Sequence, residues 1–431
     1  MTGLRRALIL ATAERYVVTL VNALSLPIMA RLLSPSEFGI SVMAAAALAV
    51  IEALREFGTT AYITQERELT REKLRTAFTI HAALTALLGG AVLAAVPLAE
   101  AYFSEPGVGR YVHVLLLAFA VGPLFMPALA QLRREMAFGR IAALNVTTSI
   151  LNVVTAITLA ALGWSYMSLA YAQLASALAG VAIGLYLKPD LGVYRPTLCS
   201  WRSVVGYGRY DTITEVVLKL WDSLPPALLG RLYGADLVGH FHRAGILATL
   251  PERLVLSGLT NVLLPSMAAG VRQGRDTRAD FLRLLSVVSA VHWSTLIVLA
   301  LMAYPVVRVL LGPQWGDAVP LLQILAVAML LRTPAGLSYV MLVAMGGVRT
   351  ACATEVIFVS IAAVLFTAGA FYSVEAAALS MLAILPIRSL LAFRYVSRHT
   401  GISWRDIGAA LRPSLAVAAA AAAGPLALIA G

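Results

Sequence analysis

The chain has 431 residues, of which 60% are hydrophobic and 13% charged, and a mean hydropathy of +0.84. That composition excludes a soluble domain, and it recurs from end to end rather than in one anchor. The net charge of +11 would suit a nucleic-acid partner, but the cations concentrate in alternate loops, which is a topology signal and excludes that partner class. Two cysteines, Cys199 and Cys352, imply neither a disulfide framework nor a metal site, and no motif calls for a cofactor.

Apolar segments of about 20 residues, each able to cross a ~30 Å hydrocarbon core, are read at 8–30, 40–62, 76–98, 111–130, 141–162, 166–187, 210–230, 244–266, 284–304, 318–345, 352–371, 376–393 and 407–430. Thirteen spans make an all-α polytopic membrane protein. The first is retained rather than cleaved, because the apolar run resumes after Glu14 and Arg15. RLLSPSEFG (31–39) ends it: Pro35 stops the helix and Ser36 is placed to cap the next. TQERELTREKLR (64–75) is a charged connection, and QLRREMAF (131–138) a basic corner. His81 reads as an interhelical polar contact. KPDLGVYRPTLCSWRSVVGYGR (188–209) is the longest polar connection up to that point, and its SWRSVVGYGR portion suits the membrane surface. Lys and Arg favour the loops on the side of the N-terminus, which places that terminus in the cytoplasm.

Several spans carry charge. In 209–231, Asp211, Glu215, Lys219 and Asp222 fall within an arc of about 80° on one helical face. Such a stripe cannot face lipid. It is either an internal ladder, with Glu215 and Lys219 neutralising each other at i,i+4, or the wall of a polar path. The second span carries Glu52, Arg55, Glu56 and Thr59 at i, i+3, i+4 and i+7. The eighth has Glu252 and Arg253, the tenth Arg332, the eleventh Glu355, and the twelfth Arg388 within snorkelling reach of its cytoplasmic end.

An offset of 200 residues aligns RLLSPSEFG (31–39) with RLYGADLVG (231–239), Glu52 with Glu252, and Arg15, Thr19 and Asn22 with Glu215, Lys219 and Asp222. With a drift to 207, EPGVGRYVHVLLLAFAV (105–121) aligns with GPQWGDAVPLLQILAVA (312–328). These matches predict a duplicated six-helix bundle whose copies share one orientation. The predicted organisation is an N-lobe over 1–187, a cytoplasmic linker over 188–209, a C-lobe over 210–393, and a cytoplasmic loop with one extra span over 394–431.

ARLLSPSEFGI (30–40), EFGTTAYITQ (56–65), LRREMAFGRIAALNV (132–146), LLGRLYGADLVGHFHRA (228–244), LPERLVLSGLTNVLLPSMA (250–268) and LLGPQWGDAVPLLQILA (310–326) carry a resemblance to polysaccharide flippases. The branch is the Wzx, colanic-acid-exporter-like one, within the multidrug/oligosaccharidyl-lipid/polysaccharide (MOP) exporter superfamily. The resemblance implies two pseudo-symmetric six-helix lobes around a central cavity lined by the first, second, seventh and eighth helices. It implies a non-enzymatic exporter in the bacterial inner membrane that moves undecaprenyl-pyrophosphate-linked oligosaccharide repeat units for O-antigen, capsule or exopolysaccharide. Its partners would be that lipid, the surrounding membrane lipids, and polysaccharide polymerase and synthesis enzymes.

Under that resemblance Arg15, Arg55, Lys219, Arg253 and Arg332 are the expected cavity cations for the pyrophosphate. Thr19, Asn22, Tyr210 and Trp221 are expected sugar contacts. Glu14, Glu52, Glu56, Asp211, Glu215, Asp222, Glu252 and Glu355 are expected to couple transport to H+ or Na+ by alternating access. The alternatives are a cation-coupled multidrug exporter, which has less use for five cations, and a transport-inactive scaffold for synthesis enzymes.

Overall fold

The computed structural model describes residues 2–56, 59, 62–63, 66, 68–205, 209–272, 278–332, 337–338, 341 and 348–430, with the side chains of 2–9, 11, 203, 205, 209–211, 254–272, 348–349, 399 and 428–430 excepted. The described residues are almost all helical and include no strand. In chain order the helices are α1 (Thr2–Leu32), α2 (Pro35–Glu56), α3 (Arg71–Phe103), α4 (Pro106–Arg134), α5 (Phe138–Ala161), α6 (Met167–Leu187), α7 (Trp201–Val205), α8 (Arg209–Arg272), α9 (Arg278–Leu301), α10 (Ala303–Leu310), α11 (Ala318–Leu330), α12 (Val348–Ala370), α13 (Val374–Thr400) and α14 (Trp404–Ala430). Nine helices among the described residues are long and apolar enough to cross a membrane, which makes this an all-α polytopic membrane protein. The two helices that hold the first, seventh and eighth sequence-read spans, α1 and α8, are not among the nine, and most of the eighth span (254–266) lies outside the residues whose side chains are described. The apolar run 318–345 is not one helix: α11 ends at Leu330 and residues 331–332 form a turn ahead of Pro334.

The chain forms two compact units, Met1–Gly239 and His240–Gly431. In the first, α1 packs on α5, α5 on α6, and α4 on α2, α3 and α6. In the second, α9 packs along α14 and α11, and α13 lies against α11 and α12.

Helix starts follow from local chemistry. Ser34, rather than the expected Ser36, caps α2, because Pro35 takes the first helical position. The Ser34 amide and hydroxyl donate to Glu37 Oε2 (2.8 and 3.0 Å), and the Glu37 amide returns a bond to Ser34 Oγ (3.3 Å), a capping box. Ser403 and Asp406 repeat the device at α14, and Arg278 reaches Asp406 Oδ2 at 2.7 Å from α9. The 188–205 connection is docked rather than loose. Val193 and Val204 join a buried cluster with Tyr62, Ile63, Leu74, Ala77, Met126 and Ala130. Asp190 pairs with Arg71, Tyr194 donates to the Leu124 carbonyl (2.9 Å), and Thr197 N donates to Thr79 Oγ1 (2.9 Å). Trp201 stays exposed while Val204 is buried, so the short α7 is amphipathic.

Gly234 interrupts α8 with φ 83° and ψ 178°, a backbone region that is essentially open only to glycine. It lies 200 residues after Ser34, at the equivalent α1–α2 junction. Just beyond it, a β-carbon on Gly39 would collide with the Ala235 carbonyl, and one on Gly239 would collide with the Pro35 carbonyl. The pairs 35/39 and 235/239 thus contact each other reciprocally at the repeat offset, and absent side chains let the two backbones touch. Gly39→Ala and Gly239→Ala are each expected to lower the thermal stability of the purified protein by the equivalent of roughly 1–3 kcal/mol. Gly90→Ala, whose β-carbon meets open space, should leave it unchanged or raised; equal melting of all three would contradict the close crossing.

Candidate functional site

Charge on apolar helices needs partners, and the structure provides them separately in each unit. In the first unit, Glu52 and Arg55 are half-buried on α2, with Glu56 more exposed. Lys219, from the 209–233 part of α8, lies within electrostatic reach of Glu52, as do Arg55 and Glu56. One residue of each stripe, Glu52 of the second span and Lys219 of the seventh, thus comes within electrostatic reach of the other. Arg55 Nη1 donates to the Phe119 carbonyl of α4 at 2.9 Å, and its guanidinium lies over the Phe119 ring at 4.3 Å. The Thr59 hydroxyl gives its proton to the Glu56 carbonyl (2.8 Å) and so accepts from Nδ1 of buried His81 (3.1 Å), the interhelical polar contact expected of that residue.

Glu14 Oε1 accepts from Asn145 Nδ2 of α5 at 2.6 Å, while Arg15 is exposed. Asn22 spends one amide hydrogen on its own helix, at the Val18 carbonyl (2.9 Å), and Thr19 is half-buried. Glu215 and Asp222 are exposed, and Trp221 is half-buried. The side chains of Tyr210 and Asp211 lie outside the described residues. Sequence reasoning missed Asn145 and Phe119, because neither is ionisable.

In the second unit, Glu252 Oε2 pairs with Arg332 Nη1 at 3.4 Å, and His292 lies within electrostatic reach of both. Arg253 is exposed. Glu355 of α12 is 4% exposed; its Oε1 accepts from Arg388 Nη2 at 2.8 Å, and the Arg388 guanidinium stands 5.1 Å from the Phe358 ring centroid. Arg388 thus turns inward to a carboxylate instead of snorkelling. Trp293 Nε1 donates to the Leu330 carbonyl (2.8 Å) and Ser389 Oγ to the Leu331 carbonyl (2.7 Å), capping the end of α11.

Partly buried cations and carboxylates on the spans of a polytopic helical bundle mark a candidate functional site. The fold is similar to that of "Lipid II flippase MurJ, inward closed conformation" (TM-score 0.78, 12% identity, 96% of this chain and 92% of that one). It is also similar to an inward-facing multidrug resistance MATE family transporter of the MOP superfamily (TM-score 0.71, 15% identity, 91% of this chain and 98% of that one). The chain belongs to the polysaccharide biosynthesis protein family, which matches residues 28–320. It is 25% identical over 319 residues to the lipopolysaccharide biosynthesis protein WzxC of Escherichia coli (strain K12), covering 73% of this chain and 64% of that protein. It is 29% identical over 327 residues to the succinoglycan biosynthesis transport protein ExoT of Rhizobium meliloti (strain 1021), covering 72% of this chain and 63% of that protein. The match thus spans somewhat less than two thirds of these relatives' own lengths.

Removing one member of a buried ion pair strands the other charge, at a cost of roughly 3 kcal/mol or more. Glu355→Ala should therefore lower the melting temperature clearly, and Glu355→Ala/Arg388→Leu should recover part of the loss. Additive losses in that cycle would show that the two side chains are not coupled.

Proposed function

We propose that this chain is a flippase for lipid-linked oligosaccharides. It moves undecaprenyl-pyrophosphate-linked repeat units across the bacterial inner membrane by alternating access coupled to H+ or Na+. Membership of the polysaccharide biosynthesis family supports this reading, together with the partly buried cations Arg55 and Lys219 on the second and seventh spans and Arg332 in the turn that follows α11. A pyrophosphate cannot enter hydrocarbon without charge compensation, and guanidinium and ammonium groups in a low-dielectric setting provide strong charge-assisted bonds. The polyprenyl tail, being apolar, needs no such compensation and stays in lipid.

Within this reading Arg15, Arg55, Lys219, Arg253 and Arg332 form the pool that meets the pyrophosphate, and Thr19, Asn22, Tyr210 and Trp221 meet the sugars. The eight carboxylates divide by neighbourhood. Glu355 is engaged by Arg388, Glu252 by Arg332 and Glu14 by Asn145. Glu52, flanked by two cations, is the strongest candidate for ion coupling, because exchange of a bound anion near Arg55 and Lys219 changes its electrostatic surroundings. The lobes 1–187 and 210–393, the 188–209 linker, the 394–431 tail and a cytoplasmic N-terminus belong to the same proposal. Polymerase and synthesis enzymes would receive or supply the lipid on either side of the membrane.

The test is transport by the full chain in liposomes loaded with the lipid-linked glycan of its own host. Wild-type protein is expected to deliver the glycan to the opposite leaflet. Arg55→Ala and Lys219→Ala, inserted at normal levels, should each slow delivery by about tenfold or more, the equivalent of one lost charge-assisted bond. If the glycan stays while a cationic dye is expelled along an ion gradient, the multidrug-exporter reading replaces this one.

A further inference from the structure

The seat of Arg55 on α4 has features that neither charge pairing nor helix packing requires. The Phe119 carbonyl would ordinarily accept a helical hydrogen bond from the residue four positions on, but that residue is Pro123, which has no N–H. The orphaned carbonyl is the one that Arg55 Nη1 reaches. One residue before the proline stands Gly122, whose missing side chain makes the room: a β-carbon there would lie 2.7 Å from Arg55 Nη1 and 3.2 Å from its Cζ. The Phe119 ring supports the guanidinium plane. Among the described residues no carboxylate stands within ion-pair distance of Arg55. Its buried Nε lacks a hydrogen-bond partner.

We propose that Phe119, Gly122 and Pro123 are positioning residues that hold Arg55 as an anion receptor, with Nη1 anchored to the backbone and Nη2 presented to a diphosphate oxygen. This deepens the flippase reading and rests on it. A carbonyl anchor holds the guanidinium without a contact ion pair, and Glu52 and Glu56 act on it only from beyond that distance, so its donors are left for the ligand; a carboxylate in direct contact would occupy them. The seat is specific for arginine, since a lysine ammonium, for all its three donors, has neither a planar face for Phe119 nor donors held apart in a fixed fork.

Gly122→Ala isolates the seat from the fold. The atom in its way is the tip of a long side chain that can swing aside, and alanine is the better helix former. The purified full chain should be titrated with undecaprenyl diphosphate in detergent, with undecaprenol as the tail-only control, and melted without ligand alongside. Wild type is expected to prefer the diphosphate to the alcohol. Gly122→Ala should weaken diphosphate binding by about tenfold while melting at or above the wild-type temperature. Pro123→Ala, which returns an N–H to the Phe119 carbonyl, should shift binding in the same direction. Arg55→Lys should lose a similar factor, and adding Gly122→Ala to it should cost nothing further, because the slimmer lysine tip leaves the glycine gap empty. If Gly122→Ala binds the diphosphate like wild type while Arg55→Ala does not, the seat is overturned and the anion site stands. If Arg55→Ala also binds like wild type, both the seat and the use of Arg55 by a flippase are refuted.

Discussion

Everything distinctive about this protein follows from the cost of placing charge where there is no water. An apolar helix tolerates an ionisable residue only if a partner is brought to it, and the fold does so by two means. Glu355 and Arg388, on successive helices, neutralise each other. Glu252 and Arg332 do the same over a longer gap. Arg55 is handled differently: a backbone carbonyl and an aromatic face steady it, with Glu52 and Glu56 near but not in ion-pair contact. A neutralised pair stabilises a bundle, whereas a steadied cation with no carboxylate in contact is chemistry held available for another molecule.

Much of the helical architecture was legible in the amino-acid order, because helix periodicity and span length are local properties. The charged faces of the second and seventh spans were readable from spacing alone, and Glu52 and Lys219 do come within reach of one another. The S-x-x-E pattern at 34–37 is equally local, yet Ser36 looked like the cap until Pro35 was assigned its helical position. Partners distant in the chain were not legible. Nothing near Glu14 in sequence points to Asn145, and an arginine two residues after Pro386 looked free to reach water when it turns to Glu355 instead. Pro123 did carry a readable signal, an open carbonyl four residues back, but not the identity of the donor that fills it.

The 188–205 segment shows a related limit. Its prolines and cations mark a connection between bundles, and that reading is blind to Val193 and Val204, two small apolar residues buried against α3 and α4. Composition reports what a segment contains on average; docking depends on which two side chains point inward. The same segment therefore ties down the end of one bundle while carrying the chain onward.

The crossing of Gly39 and Gly239 has a mechanical meaning. Side chains between helices act as cogs, and helices geared through them can ratchet past one another by changing rotamers. Here the cogs are missing and the Pro35 and Ala235 carbonyls rest directly on glycine. Such a contact has no play along either axis, since a shift of even half a turn would drive the flanking side chains into backbone. The two contacts, Gly39 on Ala235 and Gly239 on Pro35, lie about one helical turn apart along each segment, so they fix the direction of the crossing as well as its position. A joint keyed at two points is a clamp rather than a gear.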